Sequence, residues 1–390
     1  MASTVAANPL RSRARPEFGA GERVFRLVDL FSGCGGITLG FAQAAHARNL
    51  RFEVPLAVDF DELAADVYRR NFPEATHVAT AAVEAFFDGD LDAPLTLAEH
   101  RTRGAVQAID ALVGGPPCQG HSNLNNHTRR VDEKNALYLR MARAAEVLRP
   151  GLVLIENVPS VVRDRHDGEG VVDRADRHLR SLGYRTAQRV VPLADLGVAQ
   201  SRRRHILMAT EQDGVHPDEV LADAMNTSLA RDLRWAIGDL VDAPESGLLD
   251  RRPRPTPVNR ERMQHLLDNG IYDLPNEHRP ECHQRDHKYK SMYGRLNWDD
   301  PAQTITSGYG SIGQGRYMHP DQPRALTAHE AARIQGFPDY FDFSACPTGS
   351  ALATMIGNAV PPQLGEAVLG SFLRLGRATP ARITEPAQPA

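Results

Sequence analysis

Short apolar segments alternate with amphipathic segments from about residue 24 to residue 210. The apolar segments predict β-strands, and they are VFRLVDL, EVPLAVD, AIDALVG, GLVLIEN, RVVPLAD and RHILMAT. The amphipathic segments predict helices, and they are GITLGFAQAAHA, ELAADVYRRNF, NALYLRMARAAEVL and VVDRADRHLRSL. This alternation is typical of βαβ units and predicts an α/β fold with a Rossmann-like, mostly parallel sheet.

The pattern changes after residue 210, where prolines, glycines and charged residues are spaced irregularly. This irregularity predicts a second, smaller domain over residues 211–354. Helical spacing returns in LTAHEAARIQGF, where Thr327 and Glu330 can form a capping box, and in PPQLGEAVLGSFLRL. We expect residues 355–376 to complete the domain of residues 24–210. The stretch 77–108 predicts an enlarged connection, and residues 1–23 and 377–390 are expected to be disordered tails.

The composition suits a soluble protein of one large or two modest domains, with 42% hydrophobic and 24% charged residues among 390. The sequence has no apolar run of membrane-spanning length and no apolar secretory segment, so a cytoplasmic location without membrane attachment is expected. Its four cysteines are scattered and are expected to be reduced. Cys282, His283 and His287 lack a second ligand pair nearby, so no metal site is predicted.

The net charge of −4 gives no overall basic signature for nucleic-acid binding. Arginines are nevertheless concentrated in RRPRPTPVNRER (251–262) and SRRRH (201–205). Such clusters can bind phosphate groups or form ordinary solvated surface, and both alternatives stay open from charge alone.

The segment DLFSGCGGITLGF (29–41) combines a strand end, a glycine turn and a helix start. Gly33, Gly35 and Gly36 let a ligand approach the backbone at the positive end of the helix. Asp59 follows the next strand, where an acid binds ribose hydroxyls in doubly wound folds. Because no GxxxxGK[ST] segment occurs, a nucleoside cofactor without phosphates, such as S-adenosylmethionine, fits better than ATP.

The segment GGPPCQGHS (114–122) places Cys118 directly after two prolines, in a stiff turn at the end of a predicted strand. A cysteine needed only for packing would lie within the strand itself. Cys118 is therefore predicted to face a ligand or substrate.

These segments together resemble the cytosine carbon-5 DNA methyltransferase family, over residues 26 to 374. The matching segments follow the family's order, and they are DLFSGCGG, VDFD, GGPPCQGHS, ENV, QSRRR, LTAHEAARIQGFPD and GNAVPPQLGEAV. The resemblance implies a DNA (cytosine-5-)-methyltransferase that uses S-adenosyl-L-methionine and flips a cytosine out of double-stranded DNA. It also implies that residues 211–354 form a target-recognition domain.

The resemblance assigns roles to four catalytic residues. Cys118 would be the nucleophile that adds to carbon 6 of the cytosine, after which carbon 5 attacks the methyl group of the cofactor. Glu156, in ENV, would face nitrogen 3 of the ring. Arg204 would contact the exocyclic oxygen of the base, and Arg202 would brace Glu156.

The remaining predicted site residues fall into two groups. The cofactor-binding residues are Phe31, Ser32, Gly33, Gly35, Gly36, Asp59, Phe60, Pro116 and Asn358, with the two phenylalanines beside the adenine. The DNA-binding residues are Gln119, Ser122, Gln200, Arg251, Arg252, Arg254 and Arg316, with phosphate contacts expected for the 251–254 arginines and a base contact for Arg316. Two departures from the family pattern are His121, where the family has phenylalanine, and Glu84, the acid nearest the end of the third strand but out of register.

Three alternatives can be weighed on the sequence. A tRNA cytosine-5 methyltransferase would carry a Cys-Phe-Thr stretch, which is absent here. A catalytically inactive DNA-binding relative would not need Cys118, Glu156 and both arginines. An NAD oxidoreductase would carry a GxGxxG turn directly after its first strand, and the glycine turn at residues 33–36 lacks that spacing. The expected partner is therefore double-stranded DNA, with a cognate restriction enzyme or another defence protein as a second partner, and the protein is expected to be a monomer.

Overall fold

The structure is a computed structural model, and it describes residues 8–117, 136–284 and 291–376. Its strands are β1 (Arg23–Leu30), β2 (Leu50–Asp59), β3 (Val78–Thr80), β4 (Ala111–Gly114), β5 (Leu152–Asn157), β6 (Arg165–His166), β7 (Glu169–Gly170), β8 (Arg185–Pro192) and β9 (Arg203–Thr210). Seven of them form one sheet in the order β3-β2-β1-β4-β5-β9-β8, and β6 and β7 form a separate hairpin. The predicted α/β fold with a mostly parallel sheet is confirmed.

The strand order determines where a ligand can bind. β1 pairs in parallel with both β2 and β4, so the chain builds one half of the sheet outward from β1 and then returns to build the other half from β4. In open α/β sheets, ligands bind in the crevice at the carboxyl ends of the strands where this reversal occurs. Here that crevice lies between the glycine turn after β1 and residues 115–117 after β4.

The helices are α1 (Gly36–His46), α2 (Glu62–Asn71), α3 (Leu97–Val106), α4 (Ala136–Leu148), α5 (Val171–Ser181), α6 (Pro217–Thr227), α7 (Leu233–Ile237), α8 (Pro257–Asp268), α9 (Ala328–Ile334), α10 (Gly349–Asn358) and α11 (Pro362–Leu375). The predicted capping box of Thr327 and Glu330 is confirmed at the start of α9. The enlarged connection 77–108 contains β3 and α3. No helix in the described part of the chain combines the length and apolar character that crossing a bilayer requires.

The C-terminal helix α11 packs directly on α1. A Cβ atom at Gly40 would lie 1.9 Å from the carbonyl oxygen of Pro362, and one at Gly365 would lie 2.5 Å from that of Ile37. Only hydrogen at these two positions allows the helix backbones to come so close. The end of the chain thus returns to the helix that follows the glycine turn.

The buried hydrophobic residues of 211–354 belong to two separate clusters. Leu233, Ile305 and Phe337 belong to the large cluster that also covers one face of the sheet. A separate small cluster is formed by Met263, Leu266, Leu274, Tyr293, Ile312, Met318 and Ala325. The irregular region therefore has a small core of its own, while much of it shares the core of the sheet.

The expected disorder of residues 1–23 is wrong for the described part, residues 8–23. Leu10 and Phe18 are buried, and the carbonyl of Leu10 accepts a hydrogen bond from the amide of Asp339 at 2.9 Å. The guanidinium of Arg15 lies 4.6 Å from the ring centre of Phe18 and bonds to Glu74. These long-range contacts order a segment whose own composition predicts a tail.

Candidate active site

The glycine turn joins β1 to α1 with unusual backbone angles. Phe31 has φ 57°, a left-handed conformation that is uncommon for a non-glycine residue. Gly35 caps α1 with φ 88°, and a Cβ there would lie 2.3 Å from the ring of Phe72. A Cβ on Gly36 would lie 2.0 Å from the carbonyl oxygen of Val360. The GNAVPP segment therefore lies against the glycine turn, and glycine is required at both helix-start positions.

A buried acid lies beneath this turn. Asp29 is 1% exposed, and its Oδ2 accepts a hydrogen bond of 2.5 Å from the hydroxyl of Thr38. Burial raises the pKa of Asp29 to about 7. Asp29 was not predicted as a site residue, although an acid among the apolar residues at the end of β1, in LVDL, was a visible signal.

Asp59 fixes the glycine turn to the end of β2. Its Oδ2 accepts the backbone amide of Gly33 at 2.7 Å and its Oδ1 accepts that of Asp61 at 2.9 Å. Burial raises the pKa of Asp59. A carboxylate has about four acceptor positions, so these two bonds leave room for a ligand hydroxyl. The neighbouring Phe60 is 72% exposed, which is unusual for a large apolar side chain.

Two other predicted cofactor residues lie at the same edge of the sheet. Ser32 is buried, and its hydroxyl oxygen has no hydrogen-bond partner among the described residues. Asn358 is the exposed last residue of α10, two positions before the Val360 carbonyl that touches the glycine turn. The structure thus gathers the residues predicted from the DLFSGCGG, VDFD and GNAVPP segments around one crevice.

Asn157 ties the end of β5 to the segment that leads to Cys118. Its side-chain nitrogen donates to the carbonyl of Pro116 at 2.9 Å, and its oxygen accepts the amide of Val158 at 2.8 Å. Only the glutamate of ENV was predicted as a site residue, although the asparagine next to it is equally part of that segment. Cys118 itself, with Gln119, His121 and Ser122, lies outside the described residues.

Glu156 and Arg204 form a buried ion pair beside this segment. Nε of Arg204 lies 2.5 Å from Oε1 of Glu156, and the two side chains are 12% and 8% exposed. The oxygen receives no well-directed hydrogen bond, so the contact is mainly electrostatic. A Cβ on Gly115 would lie 3.1 Å from the other oxygen, Oε2, so the backbone at Gly115 lies next to the carboxylate.

The roles predicted for Arg202 and Arg204 are wrong in one respect. Arg202, which was expected to brace Glu156, instead donates from one terminal nitrogen to the carbonyls of Ile305 at 3.1 Å and Gly357 at 3.3 Å. Arg204 is the residue that pairs with Glu156. Burial and the charge of Arg204 lower the pKa of Arg202 to about 9.

Gln200 is not placed to contact DNA. It is fully buried, and its side-chain nitrogen donates to Oε1 of Gln335 at 2.6 Å and to the carbonyl of Ile334 at 3.2 Å. Its oxygen accepts the amide of Ile305 at 3.2 Å. Gln200 precedes β9, which begins at Arg203.

The arginines predicted to bind DNA in the irregular region differ in their availability. Arg251 and Arg254 are exposed, whereas Arg252 is half-buried and donates to the carbonyls of Val241 and Ala243. Arg316, the expected base contact, is engaged internally instead. It donates to the carbonyls of Tyr272 and Arg295 at 2.8 and 3.0 Å and pairs with Asp273.

One cluster with metal-ligating side chains is present among the described residues. Asp92, Glu146 and His178 bring their ligand atoms within 4.8 Å of one another. A guanidinium nitrogen of the buried Arg143 lies 3.0 Å from Oε2 of Glu146, and Nε2 of His178 lies 3.0 Å from the same atom. Because cationic and hydrogen-bonding partners already surround this oxygen, the cluster is a charge network between α4, α5 and the loop before α3.

Comparison with known proteins places the chain in a family. The sequence is 40% identical to the type II methyltransferase M1.BsuMI of Bacillus subtilis (strain 168), over 91% of this chain and 82% of that protein. It is 30% identical to the type II methylase M.HgiDII of Herpetosiphon aurantiacus, over 89% of this chain and 95% of that protein. The fold is similar to that of a prophage-encoded E. coli methyltransferase, with TM-score 0.62 and 24% identity over 90% of this chain and 99% of that one.

The family of C-5 cytosine-specific DNA methylases matches residues 25–374, which include every element of the sheet except the first two residues of β1. The matched range contains the glycine turn, the Glu156–Arg204 pair and the GNAVPP segment. The chain therefore belongs to the C-5 cytosine-specific DNA methylase family.

Proposed function

We propose that this DNA methyltransferase modifies carbon 5 of a flipped cytosine within a specific duplex sequence, with Cys118 as nucleophile and S-adenosylmethionine as methyl donor. The observation that carries the proposal is the buried Glu156–Arg204 pair next to the segment that leads to Cys118. A carboxyl held at this place can face the ring nitrogen of a cytosine whose carbon 6 meets the thiol.

The residues of the crevice suit S-adenosylmethionine. The unpartnered Ser32 hydroxyl and the remaining acceptor positions of Asp59 can bond to polar groups of the cofactor, and the exposed Phe60 ring can cover an adenine face. Gly33, Gly35 and Gly36 keep the backbone open at the start of α1. When bound, this cofactor supplies an electrophilic methyl group.

The chain's own residues would carry the remaining chemistry. Adding a thiolate to carbon 6 places negative charge on the ring, which a protonated or hydrogen-bonded nitrogen 3 can accept. Glu156 is positioned for that contact by Arg204 and by its place at the end of β5. Asn157 fixes the Pro116 carbonyl, so it holds the approach to Cys118 at a constant distance from Glu156.

The other assignments are also proposals. Residues 24–210 with 355–376 would form the catalytic domain, and 211–354 the target-recognition domain, of which the small cluster around Met263 is the separate core. Because the similar proteins include type II methyltransferases, we propose a cognate restriction enzyme as a functional partner. We further propose a monomeric protein in the cytoplasm, where duplex DNA is accessible.

Covalent trapping tests the central proposal. A DNA duplex library made with 5-fluorocytosine blocks the release step, so wild-type protein with S-adenosylmethionine should form an adduct that survives a denaturing gel. Cys118→Ala should form none, whereas Cys282→Ala, which removes an exposed cysteine elsewhere, should behave as wild type. Methylation by Cys118→Ala, or transfer to tRNA in preference to duplex DNA, would contradict the proposal.

A further inference from the structure

A short, partly exposed helix follows β5, the strand that ends in Glu156 and Asn157. A 3₁₀ helix over Pro159–Arg163 follows β5 directly and leads to the β6–β7 hairpin. Within it, Val162 is 49% exposed and Arg163 is also exposed. An open cavity of about 560 Å³ adjoins them, with Arg165, Gly168, Glu169 and Arg177 among its lining residues.

The arginines that line this cavity differ in whether their side chains already have partners. Arg177 pairs with Glu169 at 2.6 Å, and this hydrogen bond lowers the pKa of the glutamate. Arg165 donates to the carbonyl of Gly168 at 2.9 Å. Arg163 forms no ion pair or side-chain hydrogen bond with any residue in the described ranges. Because an unpaired guanidinium is a strong donor to anions, its side chain can bind one.

The position of Arg163 relative to the active site follows from chain geometry. The 3₁₀ helix packs against β9, whose first residues are Arg203 and Arg204. Five residues of 3₁₀ helix at a rise of about 2 Å each, plus two extended residues, keep Arg163 within roughly 17 Å of Glu156. At about 3.4 Å per nucleotide along one strand, this distance corresponds to at most about five nucleotides from the target base.

We propose that Val162 and Arg163 form a contact site for the sugar-phosphate backbone of DNA at the rim of the active site, outside the predicted recognition domain. Arg163 binds a phosphate and Val162 packs against the adjacent sugar. Such a contact orients the duplex over Glu156 without reading its sequence. The inference rests on the proposed function, because it takes duplex DNA around the target cytosine as the ligand.

The test compares binding and catalysis in three variants. Arg163→Ala removes the charge, Arg163→Lys keeps it, and Arg180→Ala removes an exposed arginine of α5 that pairs with Asp176 and lies beyond the cavity. Binding of a fluorescein-labelled duplex that contains the methylated sequence is measured by anisotropy over a range of salt concentrations. The KM for the same duplex is measured in parallel.

The expected result is a several-fold weaker duplex binding and a correspondingly higher KM for Arg163→Ala. Its slope of log binding constant against log salt should be smaller in magnitude by about one, because one phosphate contact is lost. Arg163→Lys should retain the wild-type slope, and Arg180→Ala should match wild type throughout. The methylated sequence, determined by bisulfite sequencing, should be the same in all four proteins.

A wild-type salt slope in Arg163→Ala would overturn the inference, and so would an equal loss of slope in Arg163→Lys. An altered methylated sequence in Arg163→Ala would also overturn it, because it would make Arg163 a base-reading residue. Failure of the proposed function would show differently, since wild-type protein itself would then leave duplex DNA unmethylated.

Discussion

Arg204 and Glu156 form an ion pair of 2.5 Å between the start of β9 and the end of β5. Removal of the arginine leaves a buried carboxylate without its cation, which disturbs the position of the carboxylate and leaves its charge uncompensated. We predict that Arg204→Ala lowers the single-turnover rate of methyl transfer by on the order of 10²- to 10⁴-fold, the usual range for an impaired acid-base group. Rapid-quench measurement with excess enzyme checks this.

The neighbouring arginine provides the matched control. Arg203 is exposed, and neighbouring residues of a strand lie on opposite faces of the sheet, so Arg203→Ala should retain the single-turnover rate. Circular dichroism should show that both variants are folded. Equal rates in Arg204→Ala and wild type would mean that the ion pair has no catalytic role.

Asp59 should serve the cofactor and not DNA. We predict that Asp59→Ala weakens S-adenosylmethionine binding by about 1 to 3 kcal/mol, because it removes an acceptor for the ligand and frees the Gly33 amide that shapes the turn. Titration calorimetry measures the affinity directly. Asp66→Ala, which changes an exposed acid of α2 paired with Arg69, should leave it unaltered. Unchanged cofactor affinity in Asp59→Ala would contradict the assignment.

The buried carboxyl of Asp29 should make stability depend on pH. Burial raises its pKa from 3.8 to about 7, so the folded protein binds more protons at this group than the unfolded chain does. The contribution of Asp29 to the free energy of unfolding should therefore fall as pH rises from about 4 to about 7. Asp29→Asn keeps an acceptor for the Thr38 hydroxyl but does not titrate, so its stability should decline less over this range.

Urea unfolding at several pH values checks the expectation for Asp29. The difference between wild type and Asp29→Asn should change by on the order of 1.4 kcal/mol for each unit of pKa shift. Asp213→Asn, at an exposed position, should follow the wild-type pH dependence. Parallel curves for wild type and Asp29→Asn would show that the carboxyl is already ionised at low pH.

The sheet and its helices could be predicted from sequence because their signals are local. The alternation of apolar and amphipathic segments and the capping box at Thr327 each depend on residues close together in the chain. The positions of Gln200 and Arg316 could not be predicted in this way. Polar side chains are usually exposed, and these two are enclosed by partners that the fold brings from distant parts of the chain, such as Ile334 and Tyr272.

The prediction of a disordered segment over residues 8–23 was wrong for the same physical reason. Its few apolar residues, including Leu10 and Phe18, give no periodic pattern. They are buried because they pack in the large hydrophobic cluster, and the loop after α9 and the strand β2 donate hydrogen bonds to their carbonyls. Which of Arg202 and Arg204 pairs with Glu156 could likewise not be predicted from the sequence. Both arginines have the required chemistry, and only the position of the 305 and 357 carbonyls decides which one reaches Glu156.

The exposed arginines of the irregular region should bind DNA without determining its sequence. We predict that Arg251→Ala and Arg254→Ala weaken binding to all duplexes and reduce the salt slope by about one each, because exposed arginines in a proline-rich run suit phosphate contacts. Bisulfite sequencing of cells that express each variant should give an unchanged methylated sequence. An altered sequence would instead identify base-reading residues.

Gln200 should be a structural residue whose loss is measured as stability and not as DNA affinity. It joins three segments, through the amide of Ile305, the carbonyl of Ile334 and the side chain of Gln335, and Gln335 donates in turn to the carbonyl of Ile356 at 2.6 Å. We predict that Gln200→Ala lowers the free energy of unfolding by about 2 to 4 kcal/mol, from a cavity and unpaired buried groups.

Since the two glutamines bond to each other, Gln200→Ala and Gln335→Ala should be non-additive by about 0.5 to 3 kcal/mol in a double-mutant cycle. Gln188→Ala, on the exposed side of β8, should be neutral in the same urea titrations. Wild-type stability of Gln200→Ala together with weakened duplex binding would restore Gln200 as a DNA contact.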